Sequence, residues 1–363
     1  MAGPTPYSKL PRRAYWRTSV QRAAQAQSLV ADLWQPKFPI TPQDRILTTG
    51  SCFAQHIGRA LAAAGYGWHD AEPAPYGISA DLATAYHYGV FSFRVGNIYT
   101  PDVLIQWLRW AQDPTIQDRE VWQDDTGYFD PLRPQIEPDG FASEAELFAA
   151  RAATFAAIRD GVKQAQVFIF TLGLTEGWVN TTSGLAYSSC PGTIAGHFDE
   201  TQHAFLNLDY PAIVDGVTRI RDLLHALNPA IRILLTVSPV PLAATATPGA
   251  HVLTATVQSK SVLRAAAGTF AAAHPDVDYF PSYELVTHPA LGRDMFADDR
   301  RNVPPDAVAF VMQHVFAGLG ITPADSPPAP HPTAVDRAVA AAQAANDVIC
   351  EEAALEDFNA DSD

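Results

Sequence analysis

Gly50-Ser51-Cys52-Phe53-Ala54 follows directly on an apolar run, Arg45-Ile-Leu-Thr-Thr49, and Phe53, Ile57, Ala60 and Leu61 are spaced for a helix that begins at Ser51 or Cys52. A serine so placed sits on a strand-to-helix turn. Gly50 permits the sharp turn, and the unbonded N–H groups of a helix start can stabilise developing negative charge, so the arrangement suits a nucleophile beside an oxyanion hole. The same residues suit two quieter roles, because serine is a preferred helix N-cap and a helix start also holds phosphate. Cys52 reads as a small buried hydrophobe rather than a thiolate. The histidines, His197 and His203 included, show no metal-ligand spacing, and Cys52, Cys190 and Cys350 form no Cys-x-x-Cys pair. Walker and Rossmann glycine fingerprints are absent, so neither a metal nor a cofactor is expected. Trp107, Trp110, Trp122, Tyr128 and Trp178 fall close to these loops or between them. Flat rings with a polar edge stack on sugar faces, which favours a carbohydrate or acyl ligand over a nucleotide, with two of these rings expected to face it.

The elements that must position these residues show as alternating patterns. Gln166-Val-Phe-Ile-Phe-Thr171 and Arg232-Ile-Leu-Leu-Thr-Val237 repeat the strand-length apolar run of 45–49. The segments leading into them, 144–163 with Leu147, Phe148, Phe155, Ile158 and Val162, and 213–227 with Ile213, Val217, Ile220, Leu224 and Leu227, are spaced for one helical face. Strand and helix in alternation predict an α/β domain with a parallel sheet. The domain is expected over 41–322, behind an N-terminal extension at 1–40. An insertion at 68–140, weakly periodic apart from a helix at 101–110, is expected to form a substrate lid or wall. From 323 to 363 a Pro-rich linker leads to an alanine-rich helical tail with Glu351, Glu352, Glu356 and Asp357, read as a solvated or docking helix. A net charge of -15 argues against capture of nucleic acid, which needs a dense Lys/Arg face. No apolar window is long enough for a membrane span, and Lys9, Arg12, Arg13 and Arg17 lead into no apolar run of a signal peptide, so a cytoplasmic protein is expected. Oligomeric state is not legible.

Gly50-Ser51-Cys52-Phe53-Ala54 is the signature of the GSCFA family, which is similar to the SGNH (GDSL-like) hydrolases. The resemblance continues through Gly96-Asn97-Ile98-Tyr99-Thr100, Thr171-Leu-Gly-Leu-Thr-Glu-Gly-Trp178, Thr236-Val-Ser-Pro-Val240 and Ser259-Lys260, over about 47–316. It implies a three-layer α/β/α sandwich with a parallel sheet, flavodoxin-like in type, and hydrolysis or transfer of an acyl ester. Ser51 would then attack the ester carbonyl, with the N–H of Ser51 or Cys52, the Asn97 amide and the Gly173 N–H as oxyanion donors, and with Trp178 and Asn302 against substrate. Where the SGNH pattern carries Gly-x-Asn-Asp, this chain has Gly173-Leu-Thr-Glu176. The last SGNH block, Asp-x-x-His, is matched by Asp299-Arg300-Arg301-Asn302, which keeps the orienting acid and lacks the base. An asparagine amide cannot accept the serine proton at neutral pH. The base would come from His288 in Ser282-Tyr-Glu-Leu-Val-Thr-His-Pro289, from His56 on the helix after Ser51, or from Glu176 as base or orienting acid. The resemblance thus implies a serine esterase or O-acyltransferase, acting on an O-acyl group of a carbohydrate. The alternative is a carbohydrate- or acyl-binding protein that has lost its base. An imidazole within hydrogen-bond reach of Ser51 separates the two.

Overall fold

The structure, a computed structural model, describes residues 5–321, Glu352 and 354–357. Along the chain the helices are α1 (Arg22–Ala26), α2 (Phe53–Ala63), α3 (Ala80–Ala85), α4 (Pro101–Gln112), α5 (Glu144–Gln164), α6 (Tyr210–Leu227), α7 (Val252–Ala273), α8 (Ser282–Thr287), α9 (Pro305–Gly318) and α10 (Ala354–Asp357). The strands are β1 (Ile46–Gly50), β2 (Trp122–Gln123), β3 (Tyr128–Phe129), β4 (Val167–Leu172), β5 (Glu176–Asn180), β6 (Ala186–Tyr187), β7 (His203–Asn207), β8 (Arg232–Val237) and β9 (Val277–Phe280). Four of them make a parallel sheet in the order β1-β4-β8-β9, with Ile46 opposite Val167, Val167 opposite Arg232 and Ile233 opposite Val277. The three apolar runs of the sequence are three of its strands. The fourth is short and carries Asp278, so its pattern is too weak to read in advance. Asp278 is accounted for by the Trp34 indole N–H and the Lys37 N–H, both of which donate to its Oδ2.

Side chains alternate across a strand, and here both faces are buried, which is why the strands read as continuous apolar runs. Ile46, Ile169, Leu234 and Phe280 join one apolar cluster with Phe53 and Ile57 of α2 and Val311 and Val315 of α9. Leu47, Phe168, Phe170, Ile233 and Leu235 join another with Trp107 of α4, Phe155 of α5, Ile213 of α6 and Leu263 of α7. Two sequence expectations change here. Residues 1–40 are not only an extension, because Val30, Trp34, Phe38 and Ile40 are buried in the α2–α9 cluster. The 68–140 stretch is not mainly a lid, because Phe93, Val95, Ile98 and Trp107 are core and α4 packs against α5 and α6. Its Pro, Gly and aromatic content reflects irregular backbone under a large apolar load rather than a mobile flap.

That stretch is also tied down by a buried ion cluster. Asp130 is fully buried and takes bonds from Arg133 Nε (2.9 Å) and Arg151 Nη2 (2.7 Å), and both arginines are themselves buried. Burial alone would raise the Asp130 carboxyl, but Arg151 and Arg133 and their hydrogen bonds outweigh it and hold the group down at about 2. Directly after β4 the chain turns into a small antiparallel sheet, ordered β6-β5-β7, which carries Glu176 and Trp178. No helix among the described residues is long and apolar enough to cross a membrane. The Pro-rich linker and most of the tail lie outside the described residues.

Candidate active site

The turn after β1 is built from backbone constraints. Gly50 has φ 136°, and a Cβ there would meet the Thr171 carbonyl oxygen at 2.4 Å, so the position admits only glycine. The Ser51 N–H donates to Thr171 O (3.1 Å) and the Ile98 N–H donates to Gly50 O (2.8 Å), which clamps the turn between β4 and the 96–100 segment. Helix α2 then starts with the Ala54 N–H donating to Ser51 O (2.8 Å). Ser51 is 1 % exposed, and among the described residues its Oγ has no hydrogen-bond partner. The N-cap role is therefore not taken up: the cap position is Cys52, and no side chain caps α2. A buried hydroxyl without a partner costs about 1–3 kcal/mol, so the fold carries this serine at a loss.

Two of the expected partners lie against the turn. A Cβ on Gly173 would stand 3.0 Å from Ser51 Cβ and 3.0 Å from Tyr99 Cα, so the glycine is what lets the end of β4 close on the serine. Its N–H, however, donates to Tyr99 O (3.1 Å), as does that of Leu174 (3.0 Å). Gly173 is thus a contact residue and not the oxyanion donor expected of it, and the Ser51 N–H is likewise spent on Thr171. Asn97 is fully buried, with Oδ1 accepting from Gln55 Nε2 (3.3 Å), one turn along α2 from Ser51. That bond orients the amide group beside the start of the helix. Lys260, 1 % exposed, donates from Nζ to Gly173 O (2.7 Å), and the adjacent Ser259 Oγ accepts from the Thr175 N–H (3.0 Å). The Ser259-Lys260 pair thereby anchors the loop after β4 to α7, a role its motif did not reveal.

The remaining candidates are engaged elsewhere. Asp299 and Asn302 form an exposed turn in which Asp299 Oδ1 accepts from the N–H groups of Arg301 (2.9 Å) and Asn302 (2.9 Å), and Oδ2 accepts from the Asn302 amide (2.6 Å). Burial pushes the Asp299 carboxyl up, but those hydrogen bonds together, with Arg301 adding, outweigh it and hold the group below the usual carboxylate range. Among the described residues it bonds no histidine. His288 is exposed, its Nδ1 accepts from the Ala290 N–H (3.2 Å) and its ring lies 5.4 Å from that of Trp16, so it caps a turn. His56 sits with its ring 5.6 Å from Phe53, and burial, with Arg59 adding, pushes it down to about 4, leaving it neutral at pH 7. Neither imidazole bonds Ser51 Oγ. Glu176 is buried and accepts from Thr245 Oγ1 (2.6 Å), Thr247 Oγ1 (2.9 Å) and the Ala246 N–H (3.3 Å), which makes it the anchor of the 245–247 loop.

A cavity of about 200 Å³ lies across Tyr99 from the turn, walled by Tyr99, Leu174, Glu176, Trp178, Leu242 and Leu355, and Ser51 is not among its lining residues. Tyr99 is the link, since it touches Gly173 on one side and the cavity on the other. Trp178 is the aromatic residue of the sequence analysis that lines it, packed edge-on to Phe205 at 5.5 Å, whereas Trp107, Trp110 and Trp122 are core. The hydroxyls of Ser188 and Ser189 also line the cavity, buried and with no partner among the described residues, and nothing in their sequence setting marks them. Cys190 stands beside them with its thiol pushed up to about 11 by burial, the opposite of an activated thiolate. Glu352 reaches back to Arg301 Nη2 (3.2 Å) and so brings the α10 segment to the cavity wall.

Comparison with curated proteins gives no match. The family model described as the GSCFA family matches residues 45–315, which spans β1 to α9 and includes Ser51, Asn97, Gly173 and Lys260. The chain belongs to the GSCFA family.

Proposed function

We propose that the chain handles acyl esters in an SGNH-like site, as a serine esterase or O-acyltransferase with Ser51 as nucleophile and the cavity beside Tyr99 as the acyl or sugar pocket. The observation that carries this is the Ser51 hydroxyl itself, which is buried at the start of α2 and caps nothing. A four-stranded parallel sheet with an apolar cluster on each face supports the flavodoxin-like three-layer fold of that superfamily. In the reaction, Ser51 Oγ forms a bond to the ester carbonyl carbon while its proton passes to a base. The carbonyl electrons move to an oxyanion facing the N-terminus of α2 and the Asn97 amide, and its collapse breaks the bond to the alcohol oxygen, which leaves with the proton returned by the base. Water or a second alcohol then releases the acyl group. Trp178 and the Ser188 and Ser189 hydroxyls suit a substrate with an apolar body and polar edges, as an O-acylated sugar has.

A second reading, a binding protein with the same pocket and no turnover, is favoured by one specific observation: among the described residues Ser51 Oγ bonds no imidazole, and Asp299 pairs with Asn302 instead of a histidine. Labelling with a fluorophosphonate separates the two. In the esterase reading the wild type labels, Ser51→Ala does not, and one of His56→Ala, His288→Ala or Glu176→Gln loses the label as well. A folded wild type, checked by circular dichroism, that takes no label leaves the binding reading.

A further inference from the structure

Residues 5–31 contain Lys9, Arg12, Arg13, Arg17 and Arg22 and no acidic residue, within a chain of formal net charge -15. All five cations are exposed. The same stretch exposes Tyr7 (69 %), Leu10 (42 %), Tyr15 (39 %) and Trp16 (59 %), a concentration of large apolar side chains found nowhere else among the described residues. The backbone that displays them is firmly seated. Ala23 and Val30 are buried in the core, the Val30 N–H donates to His314 Nε2 (3.0 Å), and Arg293 bonds Gln27 O. Residues 5–17 are thereby held outside the core as short turns at Pro6–Lys9 and Arg12–Ala14, with every residue exposed. The Pro289–Leu291 turn packs against 17–21, and Asp294, three residues beyond that turn, is paired with Arg300 at 2.6 Å.

From this we propose that the 5–22 surface docks on an anionic lipid bilayer, peripherally and without spanning it. Cations alone would suit any polyanion, but Leu10 and Trp16 gain nothing from a phosphate backbone. In an interface the rings and the leucine enter the headgroup layer while Lys9, Arg12, Arg13 and Arg17 meet anionic headgroups. The remaining negative charge does not prevent this. Screening confines repulsion to about 10 Å at 0.1 M salt, so the patch that touches the bilayer decides the sign.

The test is co-sedimentation of the full chain with phosphatidylcholine vesicles containing about one-third phosphatidylglycerol. Binding at about 0.1 M salt is expected to fall at least about tenfold at 0.5 M salt or on vesicles of phosphatidylcholine alone. The combined Arg12→Glu, Arg13→Glu, Arg17→Glu variant should lose it, and Trp16→Ala should weaken it about threefold or more. Circular dichroism establishes that each variant is folded. No binding to the anionic vesicles, unchanged binding by the charge variant, or tighter binding to duplex DNA than to the vesicles would each overturn the proposal.

Discussion

The turn at Ser51 is buried, clamped by the backbone of β4 and the 96–100 segment, and ends in a hydroxyl that bonds none of the described residues, whereas the turn at Asp299 is exposed and closes on itself. Both match blocks of the same hydrolase pattern. Their difference shows how a motif can keep its residues and change its role. A carboxylate that orients a base must offer it an oxygen, and both Asp299 oxygens are occupied by donors three residues away or fewer. With asparagine at position 302, the block supplies its own donor and needs no partner. The serine turn has no such closure, so its hydroxyl is the buried group that a substrate would satisfy.

That contrast can be broken from several directions. The largest effect is expected at Asp130, which tests burial alone: Asp130→Ala leaves Arg133 and Arg151 buried without their carboxylate and should lower stability by about 3–5 kcal/mol in urea titrations. Labelling at Ser51, measured per folded molecule, should not change. Asp130 also sets an acid limit. Its carboxyl is held at about 2 in the fold against about 3.9 when unfolded, so its stabilisation is complete above pH 4 and lost as pH falls through 2, a dependence absent from Asp130→Asn. Gly50→Ala comes next, at about 2–3 kcal/mol, because φ 136° and the Thr171 carbonyl both exclude a side chain. Ser51→Ala should do the reverse, raising stability by about 1 kcal/mol as the unpaired hydroxyl goes, while abolishing the label. Gly173→Ala sharpens the comparison, since a methyl 3.0 Å from Ser51 Cβ shifts the nucleophile: about tenfold slower labelling is expected for a modest change in melting temperature. The smallest effect belongs to Asp299→Ala, within about 1 kcal/mol and with labelling unaltered. A loss of labelling there would return Asp299 to the catalytic group and erase the contrast.

Three of the four sheet strands and the long helices α5 and α6 are legible in the sequence because apolar periodicity is a local property that survives without a structure. The strand at 277–280 is not, since Asp278 interrupts it and its justification lies in Trp34 and Lys37, far away in the chain. The same holds for residues 30–40, whose apolar positions Val30, Trp34, Phe38 and Ile40 are interrupted by Pro36 and Pro39 and follow neither a helix nor a strand period, yet fill the space over α2 and α9. At the site, the serine, the glycine before it and the strand-to-helix turn are visible as types in order.

What the sequence by itself determined is therefore the α/β class, the turn at Gly50-Ser51 and the absence of a histidine at position 302. Only the tertiary structure decided that the Gly173 N–H is spent on Tyr99, that Lys260 anchors the carbonyl beside it, and that Glu176 and His288 serve loops of their own. The physical reason is that a hydrogen-bonding group has few valences. Which partner takes them depends on segments brought together by packing, and no spacing along the chain records that choice.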